Sequence, residues 1–201
     1  MIISDHSKTR TDLLNAIADK IAATSYLEIG CCTDVNFNNV RASYKVGVDP
    51  VSGGTLRMTS DEFFKNNTDT FDLIFIDGLH HADQVNKDIE NSLAILNPNG
   101  VIVMHDCLPT TEYMQRTPMP NGISDWTGDV WKSVFYFNDQ QMIDICVVTI
   151  DMGCGIIRNR KPSNSQIRTD AEYWMTSHYD EYTQSYNKLA LKTFEEAFAW
   201  I

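Results

Sequence analysis

Four short apolar runs in the first half of the chain predict β-strands. Each ends at a glycine, a proline or an acidic residue, which is typical of a strand that stops at a turn. The runs are SYLEIG (25–30), YKVGVDP (44–50), FDLIFID (71–77) and VIVMHD (101–106). Two later runs, 143–151 and 153–160, flank the turn Asp151–Gly153 and predict a hairpin.

Helical periodicity fills the gaps between these runs. Apolar residues recur every three or four positions over 8–23 and 82–96, so each segment predicts a helix with one buried face. The second helix is expected to end at the turn NPNG, 97–100. The segment MTSDEFFKNN predicts the end of a strand and a short helix behind an N-cap at Thr59 or Ser60. Other predicted helices cover 34–40, 128–137 and the aromatic tail, 169–201.

Strands that alternate with helices indicate a mostly parallel sheet with helices on both faces. The continuous apolar runs LIFI and VIVM fit strands that are buried on both sides. Ligands of such sheets bind outside the carboxyl ends of the strands. Glu28, Asp49, Asp77 and Asp106 stand at or near these ends, so we expect them to meet at one edge.

Composition narrows the class of protein. The chain has 201 residues, 43% of them hydrophobic and 21% charged, which suits one compact domain rather than a disordered chain. A net charge of -11 argues against a nucleic-acid partner, because nucleic acids are themselves anionic. No apolar run approaches the roughly 20 residues of a membrane span, and the start lacks the pattern of a signal peptide. Five cysteines without metal-site spacing are expected to be reduced thiols in a cytoplasmic protein.

Acidic and imidazole side chains follow two of the predicted strands directly. FDLIFID continues into Gly78 and the pair His80–His81, and VIVM continues into His105–Asp106. A histidine near pKa 6.5 suits proton removal, and paired carboxylates suit a divalent cation. We expect the two adjacent histidines to diverge by about 100 degrees at a helix start, with His80 in the cleft. The alternative is that one or both only cap or pack the helix, or that His105 is a buried, hydrogen-bonded residue.

A cofactor site is also predicted beside the first two strands. The dinucleotide motif G-x-G-x-x-G is absent, and only Gly30 follows the first strand, which disfavours a pyrophosphate site. Glu28, just before this turn, suits a cationic ligand. Asp49 ends the second strand, where an acid can accept both hydroxyls of a ribose. Taken alone, Asp49 is equally well read as a turn residue before Pro50.

In these motifs the chain resembles the class I S-adenosylmethionine-dependent methyltransferases. The matching pieces are YLEIG, VGVDP, MTSDEFF, FDLIFIDGLHHADQVNKDI and NPNGVIVMHD, in that order over about residues 20–110. The resemblance is to a small-molecule O-methyltransferase-like branch with DGxH and HD motifs. It implies a Rossmann-like, doubly wound and mostly parallel seven-stranded sheet with a C-terminal antiparallel hairpin. The expected organisation is one domain, 1–201, with its core over about 20–160 and a helical tail over about 169–201.

The resemblance also assigns roles to individual residues. The turn at Glu28, Gly30, Cys31 and Cys32 would hold the methionine end of S-adenosylmethionine, and Asp49 would bind its ribose. Ser60 and Asp61 would lie by the adenine, and Asp77 near the sulfonium and the acceptor. The family turn is usually richer in glycine, so the path of Cys32, Thr33 and Asp34 departs from the pattern.

The resemblance leaves a metal open. Some relatives bind magnesium with acids at the positions of Asp77 and Asp106, and Mg or Mn is the candidate ion here. Those relatives often carry another carboxylate where this chain has His105, and an imidazole suits a softer metal better than magnesium.

The resulting expectation is O-methylation of a small polar acceptor, such as a sugar or natural product, with His80, His105 and Asp77 in the catalytic site. The proline-containing loop 107–126 would cover that site. Trp126 and Trp131 would stack on the acceptor and Asp129 or Lys132 would orient it, unless this segment is only a helix start with Trp131 in the core. The tail aromatics are expected to pack within the fold or to form a homodimer contact. No membrane partner is expected. The alternatives are a metal-dependent hydrolase or hydroxylase, and a non-catalytic binding subunit that keeps the cofactor fold.

Overall fold

The protein folds around one seven-stranded sheet. The computed structural model describes residues 7–140, 143–160 and 171–201. The strands are β1 (Ser25–Ile29), β2 (Tyr44–Val48), β3 (Phe71–Ile76), β4 (Leu96–Met104), β5 (Asp144–Val148), β6 (Cys154–Arg158) and β7 (Leu191–Lys192). The helices are α1 (Arg10–Ile21), α2 (Val35–Asn39), α3 (Ser60–Asn66), α4 (Ala82–Ala94), α5 (Trp131–Gln140), α6 (Ala171–Thr176), α7 (Tyr179–Ser185) and α8 (Phe194–Trp200), with a 3-10 turn at Tyr186–Lys188.

The strand order is β2-β1-β3-β4-β6-β5-β7. Strands β1 to β4 pair in parallel, and β6 runs antiparallel to both β4 and β5. The predicted mostly parallel sheet with an antiparallel hairpin is therefore confirmed. Because β1, β2, β3 and β4 point the same way, their carboxyl ends lie along one edge.

The seventh strand comes from an unexpected place. Strand β7, Leu191–Lys192, pairs in parallel with β5, so the prediction of an all-helical tail is wrong there. The predicted strand end in MTSDEFF is also wrong: Leu56 makes a single isolated bridge to Val48 instead. Two residues give too little local pattern to predict a strand. The start of the predicted tail, residues 169–170, lies outside the described residues.

Side-chain caps fix where the first helices begin. The Thr9 hydroxyl oxygen accepts from the backbone N–H of Asp12, and the backbone N–H of Thr9 donates to the Asp12 carboxylate, so α1 begins at Arg10. Thr59 and Glu62 form the same reciprocal pair of bonds, a capping box, at the start of α3. Thr59 is therefore the N-cap of α3, and Ser60 is its first helical residue. Both caps place a helix start beside the carboxyl edge of the sheet.

The NPNG segment, 97–100, does not form the separate turn that was predicted for it. Helix α4 ends at Ala94, and 97–100 belongs to β4 rather than to a separate turn. The strand register shifts here, because Phe71 lies opposite Leu96 but Leu73 lies opposite Val101. The four residues thus form a bulge at the start of β4, where a proline is tolerated.

Helices cover both faces of the sheet, and a third cluster is aromatic. In that cluster Trp131 and Phe135 of α5 pack against Trp174 and Tyr182 of the tail. Trp131 is fully buried, so it belongs to the core and does not stack on a ligand. The tail aromatics Trp174 and Tyr182 pack in this cluster, which confirms packing, one of the two roles predicted for the tail. None of the helices in the described part of the chain is both long and apolar enough to cross a membrane.

Candidate active site

A cavity of about 900 Å³ opens at the carboxyl edge of the parallel strands. This volume lies at the upper end of the roughly 300–1,000 Å³ of ligand pockets. The four acids that end the strands, Glu28, Asp49, Asp77 and Asp106, all line it. Their predicted convergence is confirmed. The cavity has room for a cofactor together with a small second molecule.

The turn after β1 is built on Gly30. Its φ is +88°, and a Cβ there would lie 2.1 Å from the Asp77 carbonyl oxygen, so only glycine fits. Cys32 and Asp34 also adopt left-handed φ values, of 49° and 61°, where the related pattern has glycines. The Asp34 carboxylate accepts from the Gly54 N–H at 2.6 Å. Asp34 therefore braces the neighbouring loop and gives the turn its path without further glycines.

Asp49 joins two turns through its carboxylate. Oδ2 accepts from the N–H groups of Cys31 and Cys32, each at 3.0 Å. Oδ1 accepts from those of Val51 and Ser52, each at 2.8 Å. Burial works to raise the pKa of Asp49, but these four amides lower it below its ordinary value. A carboxylate has about four acceptor sites, so the backbone already uses the whole capacity of Asp49.

Glu28 is buried behind the same turn. Its carboxylate accepts from the hydroxyl of Tyr26 and from the amide of Asn36, the latter at 2.9 Å. Burial raises the pKa of Glu28 from 4.5 to about 7, although both hydrogen bonds work to lower it. Glu28 is thus a carboxyl group that can lose its proton near neutral pH when a cation binds beside it.

This raised pKa predicts a pH dependence of stability. The proton is bound more tightly in the folded state, so the stabilisation is present below about pH 4.5 and is lost as the pH rises through about 7. In Glu28→Gln we expect the unfolding free energy to fall less over this window, by at most about 3 kcal/mol. Urea unfolding of both proteins at pH 4.5, 6 and 7.5 measures it. The exposed Glu90→Gln is the control, and parallel curves for all three proteins would contradict the prediction.

The predicted adenine end forms a polar cluster. Nε2 of Gln84 lies 3.2 Å from Ser60 Oγ, 2.9 Å from Asp61 Oδ1 and 3.1 Å from Asp88 Oδ1. All four residues line the cavity. Burial raises the pKa of Asp88 to about 6. Sequence reasoning missed Gln84 and Asp88; their one signal is that they face the same side of α4 as each other, one turn apart.

His80 stands between two carboxylates. Its Nε2 lies 3.2 Å from Asp77 Oδ1, and its Nδ1 lies 3.1 Å from Asp106 Oδ2. Burial works to lower the pKa of His80, but the two acids raise it above 6.5. The side chain is 19% exposed and lines the cavity. Imidazole and carboxylates thus meet as the sequence predicted.

The side chains of His80 and His81 point apart, but the cause is not the predicted rotation between successive helical residues. Helix α4 begins at Ala82, with His81 as its N-cap, so neither histidine is helical. His80 adopts a left-handed conformation, with φ of 58°, which turns its side chain into the cavity. His81 does not line the cavity.

His105 is 1% exposed and has a partner at each ring nitrogen. Nε2 lies 2.6 Å from the Asp151 carbonyl oxygen, and Nδ1 lies 2.7 Å from Nη1 of Arg10. Burial opposes charge on His105, but Asp77 and Asp106 outweigh it and raise its pKa well above 6.5. Nη1 of Arg10 also lies 3.1 Å from Nε2, and Nδ1 lies 3.2 Å from Asp106 Oδ1. His105 is therefore enclosed by charged groups on the side that faces the cavity.

Arg10 and Asp151 complete the cluster, and sequence reasoning missed both. Nη1 of Arg10 donates to Asp77 Oδ2 at 3.1 Å, and Nε lies 3.4 Å from Asp151 Oδ2. Burial works to raise the pKa of Asp77, but His105, His80 and Arg10 lower it well below its usual range. Asp151 lies in the predicted hairpin turn and Arg10 in the first turn of α1, but no sequence motif connects them.

Asp77, His80 and Asp106 are the candidate ligands of a divalent metal. Asp77, His80 and Asp106 each bring one ligand atom to within 4.8 Å of the others. Asp106 Oδ1 is buried and makes no aligned hydrogen bond among the described residues, although Nδ1 of His105 lies 3.2 Å away, so it retains room to accept a cation. Two contacts outweigh this. His80 turns a different nitrogen to each acid, and the guanidinium of Arg10 already neutralises Asp77. The residues therefore do not fit a resident metal ion.

The loop 107–126 forms no helix or strand, as predicted, and its last residues pack on His80. The Trp126 ring stacks on the His80 ring with centroids 5.0 Å apart, and its carbonyl lies 3.2 Å from Nδ1. Asp129 accepts from the N–H of Ala82 at 2.8 Å and pairs with Lys132 at 2.9 Å. Asp129 and Lys132 do not line the cavity, so their predicted contact with an acceptor is wrong. Asp129 instead caps α4.

Comparisons with known proteins agree with this fold. Residues 9–107 match the family model described as "Methyltransferase domain". The fold is similar to that of the SAH-bound methyltransferase PaMTH1 of Podospora anserina, with 16% identity, a TM-score of 0.57 and coverage of 77% of this chain and 80% of that one. The comparison with curated proteins gave no match.

Two more solved structures share the fold. The O-methyltransferase of Bacillus cereus in complex with SAH has 15% identity, a TM-score of 0.57 and coverage of 78% of this chain and 83% of that one. TomG of Streptomyces achromogenes, an O-methyltransferase involved in tomaymycin synthesis and seen with SAM, has 12% identity, a TM-score of 0.52 and coverage of 74% and 78%. At these identities the likeness is one of fold.

Proposed function

Because this chain carries the domain and fold of the class I S-adenosylmethionine-dependent methyltransferases, we propose that it methylates an oxygen of a small polar acceptor. The observation that carries this proposal is His80, which stands between Asp77 and Asp106 in the same cavity as the turn at Gly30. An imidazole beside the cofactor turn can take a proton from an acceptor hydroxyl.

The cofactor is proposed to lie along the strand ends. Its methionine end would meet Glu28 and the turn at Gly30, Cys31 and Cys32. Its ribose would lie by Asp49, which fixes the two turns around that position. The adenine would reach the polar cluster formed by Ser60, Asp61, Gln84 and Asp88.

The proposed reaction is an in-line displacement at the sulfonium methyl. The acceptor hydroxyl loses its proton to His80, and its oxygen forms a bond to the methyl carbon. The electrons of the breaking carbon–sulfur bond stay on sulfur, which leaves S-adenosylhomocysteine. Asp77 and Asp106 stabilise the imidazolium that forms. His80 is preferred to His105 as the base because its side chain is 19% exposed in the cavity, whereas that of His105 is 1% exposed.

We expect this reaction to need no added metal, since Arg10 already supplies a cation to the acid cluster. S-adenosylhomocysteine at 100 times its dissociation constant should add about 2.7 kcal/mol. For a chain of this size that raises Tm by roughly 5–11 °C. Thermal unfolding with magnesium, manganese or a chelator should give the same rise, and methyl transfer from labelled S-adenosylmethionine should survive the chelator.

The other outcomes separate the rival functions. A Tm rise without transfer to any acceptor would favour a binding subunit. Activity that persists without S-adenosylmethionine and stops with the chelator would favour a metal-dependent hydrolase or hydroxylase. A metal-dependent increase in methyl transfer would restore the metal site at Asp77 and Asp106.

A further inference from the structure

Glu28 is anchored through one of its two carboxylate oxygens. Its Oε2 accepts from the hydroxyl of Tyr26 and from Nδ2 of Asn36, the latter at 2.9 Å. Among the described residues no donor contacts Oε1, and Glu28 lines the cavity. The carboxyl group is therefore held from behind, and Oε1 is the oxygen that remains for a ligand.

The two donors are themselves fixed by a network of side chains. Nδ2 of Asn36 also donates to the Tyr26 hydroxyl oxygen at 3.1 Å, and Oδ1 of Asn36 accepts from the Thr11 hydroxyl at 2.8 Å. Tyr26 is fully buried in β1, whereas Asn36 belongs to α2 and Thr11 to α1. The network thus ties three elements of the fold to the orientation of Glu28.

The charged groups around Glu28 favour its protonated form. Asp77 after β3 and Asp34 before α2 both raise its pKa in addition to burial, and its two hydrogen bonds only partly oppose them. Cys31, on the turn after β1, is a thiol whose own pKa is raised by burial, so it stays neutral. Arg10 lines the same cavity but forms its ion pair with Asp77. An ammonium group of a ligand can therefore supply the cation that Glu28 lacks among the described residues.

We propose that Tyr26 is a positioning residue for the cofactor: its hydroxyl, with Asn36, aims Oε1 of Glu28 at the cofactor's ammonium group, whose binding displaces the Glu28 proton. This inference rests on the proposed function, because it places the methionine end of the cofactor beside Glu28. The displaced proton passes to the solvent, and the carboxylate and the ammonium group form an ion pair in the cavity. Cofactor binding is thereby coupled to the release of one proton.

Calorimetry in two buffers of different ionisation enthalpy tests the inference, because the difference in apparent binding enthalpy counts the protons released. With S-adenosylhomocysteine the wild-type protein should release about 0.5 proton at pH 7 and about 0.9 at pH 6, as a pKa of about 7 requires. This ligand has the ammonium group but no sulfonium, so the release reports the methionine end alone. Methylthioadenosine, which lacks the amino-acid end, should bind with little release.

Three variants locate the source of the proton. Glu28→Gln should bind S-adenosylhomocysteine with little or no release. Tyr26→Phe removes one donor to the carboxylate, so the pKa of Glu28 should rise further. Release at pH 7 should then increase to about 0.9, and binding should weaken about fivefold at pH 7 but only slightly at pH 8.5. Tyr44→Phe removes the same kind of bond, to Asp69 on the surface, and should change neither quantity.

The results separate the two claims. Binding of S-adenosylhomocysteine without proton release, or with release that persists in Glu28→Gln or equals that of methylthioadenosine, would overturn the inference and leave the proposed function standing. If Tyr26→Phe weakened binding equally at both pH values and left the release unchanged, Tyr26 would only support the fold. Proton release without methyl transfer to any acceptor would leave the inference standing and count against the proposed function. Folded wild-type protein that does not bind S-adenosylhomocysteine would overturn both.

Discussion

Replacing His80 with asparagine is expected to lower turnover by about a hundred- to ten-thousandfold, the usual contribution of a general base. Asparagine suits the site because it tolerates the left-handed conformation of residue 80 and can still donate to the Trp126 carbonyl. It has no group that accepts a proton in place of Nε2. Affinity for S-adenosylhomocysteine should stay within a few-fold of wild type, because His80 lies at the acceptor end. Steady-state methyl transfer and calorimetric binding measure the two effects.

His81→Asn is the matched control for this experiment. His81 is the neighbouring residue, makes no side-chain cap bond and does not line the cavity, so its replacement should leave turnover nearly unchanged. If His80→Asn and His81→Asn both kept full turnover, His80 would not be the base. If His80→Asn lost cofactor affinity in proportion to turnover, its role would lie in holding the fold of the site.

Replacing Asp49 with asparagine is expected to weaken S-adenosylhomocysteine binding at least about a hundredfold. The amide keeps the shape of the side chain but loses the charge. Its NH2 group, which can only donate, now faces two backbone N–H groups that have lost their acceptor. Those groups belong either to Cys31 and Cys32 or to Val51 and Ser52. These bonds exist with and without a ligand, so their loss weakens binding by displacing the two turns that flank the proposed cofactor position. Charge-assisted hydrogen bonds contribute about 1.5–3 kcal/mol each, which is enough to move the turns.

The same substitution should also destabilise the unbound protein, because Asp49 joins the two turns without a ligand. We expect a loss of about 3 kcal/mol and a Tm lower by roughly 6–12 °C. Calorimetric titration and thermal unfolding measure the two effects, with the exposed Asp19→Asn as the control. Unchanged stability together with weak binding would mean that Asp49 acts on the ribose directly and contributes little to the turns.

The local pattern of the sequence determined much of the framework. The parallel strands are short apolar runs that end at a glycine, a proline or an acidic residue. The positions of the strands and of the acids at their ends could therefore be predicted from the sequence. The long helix α4 was equally readable from its period, although its end was not, because the bulge at 97–100 depends on pairing with β3. The order of these motifs also indicated the cofactor class, which the family match supports.

The acceptor site depended on contacts that no local pattern contains. Arg10 meets Asp151 across 141 positions of sequence, and His105 lies 46 positions from the same residue. A single backbone torsion, the left-handed φ of His80, decides which of two adjacent histidines enters the cavity. Asp49 was predicted from its place at a strand end, but its four amide partners are set by how two turns fold around it.

The sequence by itself therefore determined the parallel strands and the edge at which the acids meet, and it predicted the kind of cofactor. Periodicity and strand ends are local properties of the sequence, so they can be recognised without knowledge of the tertiary packing. Only the tertiary structure decided that Trp131 is core, that a two-residue strand closes the sheet, and that a guanidinium stands beside the proposed base. The physical reason is that side-chain direction and pairing over long sequence separations are fixed by packing of the whole fold.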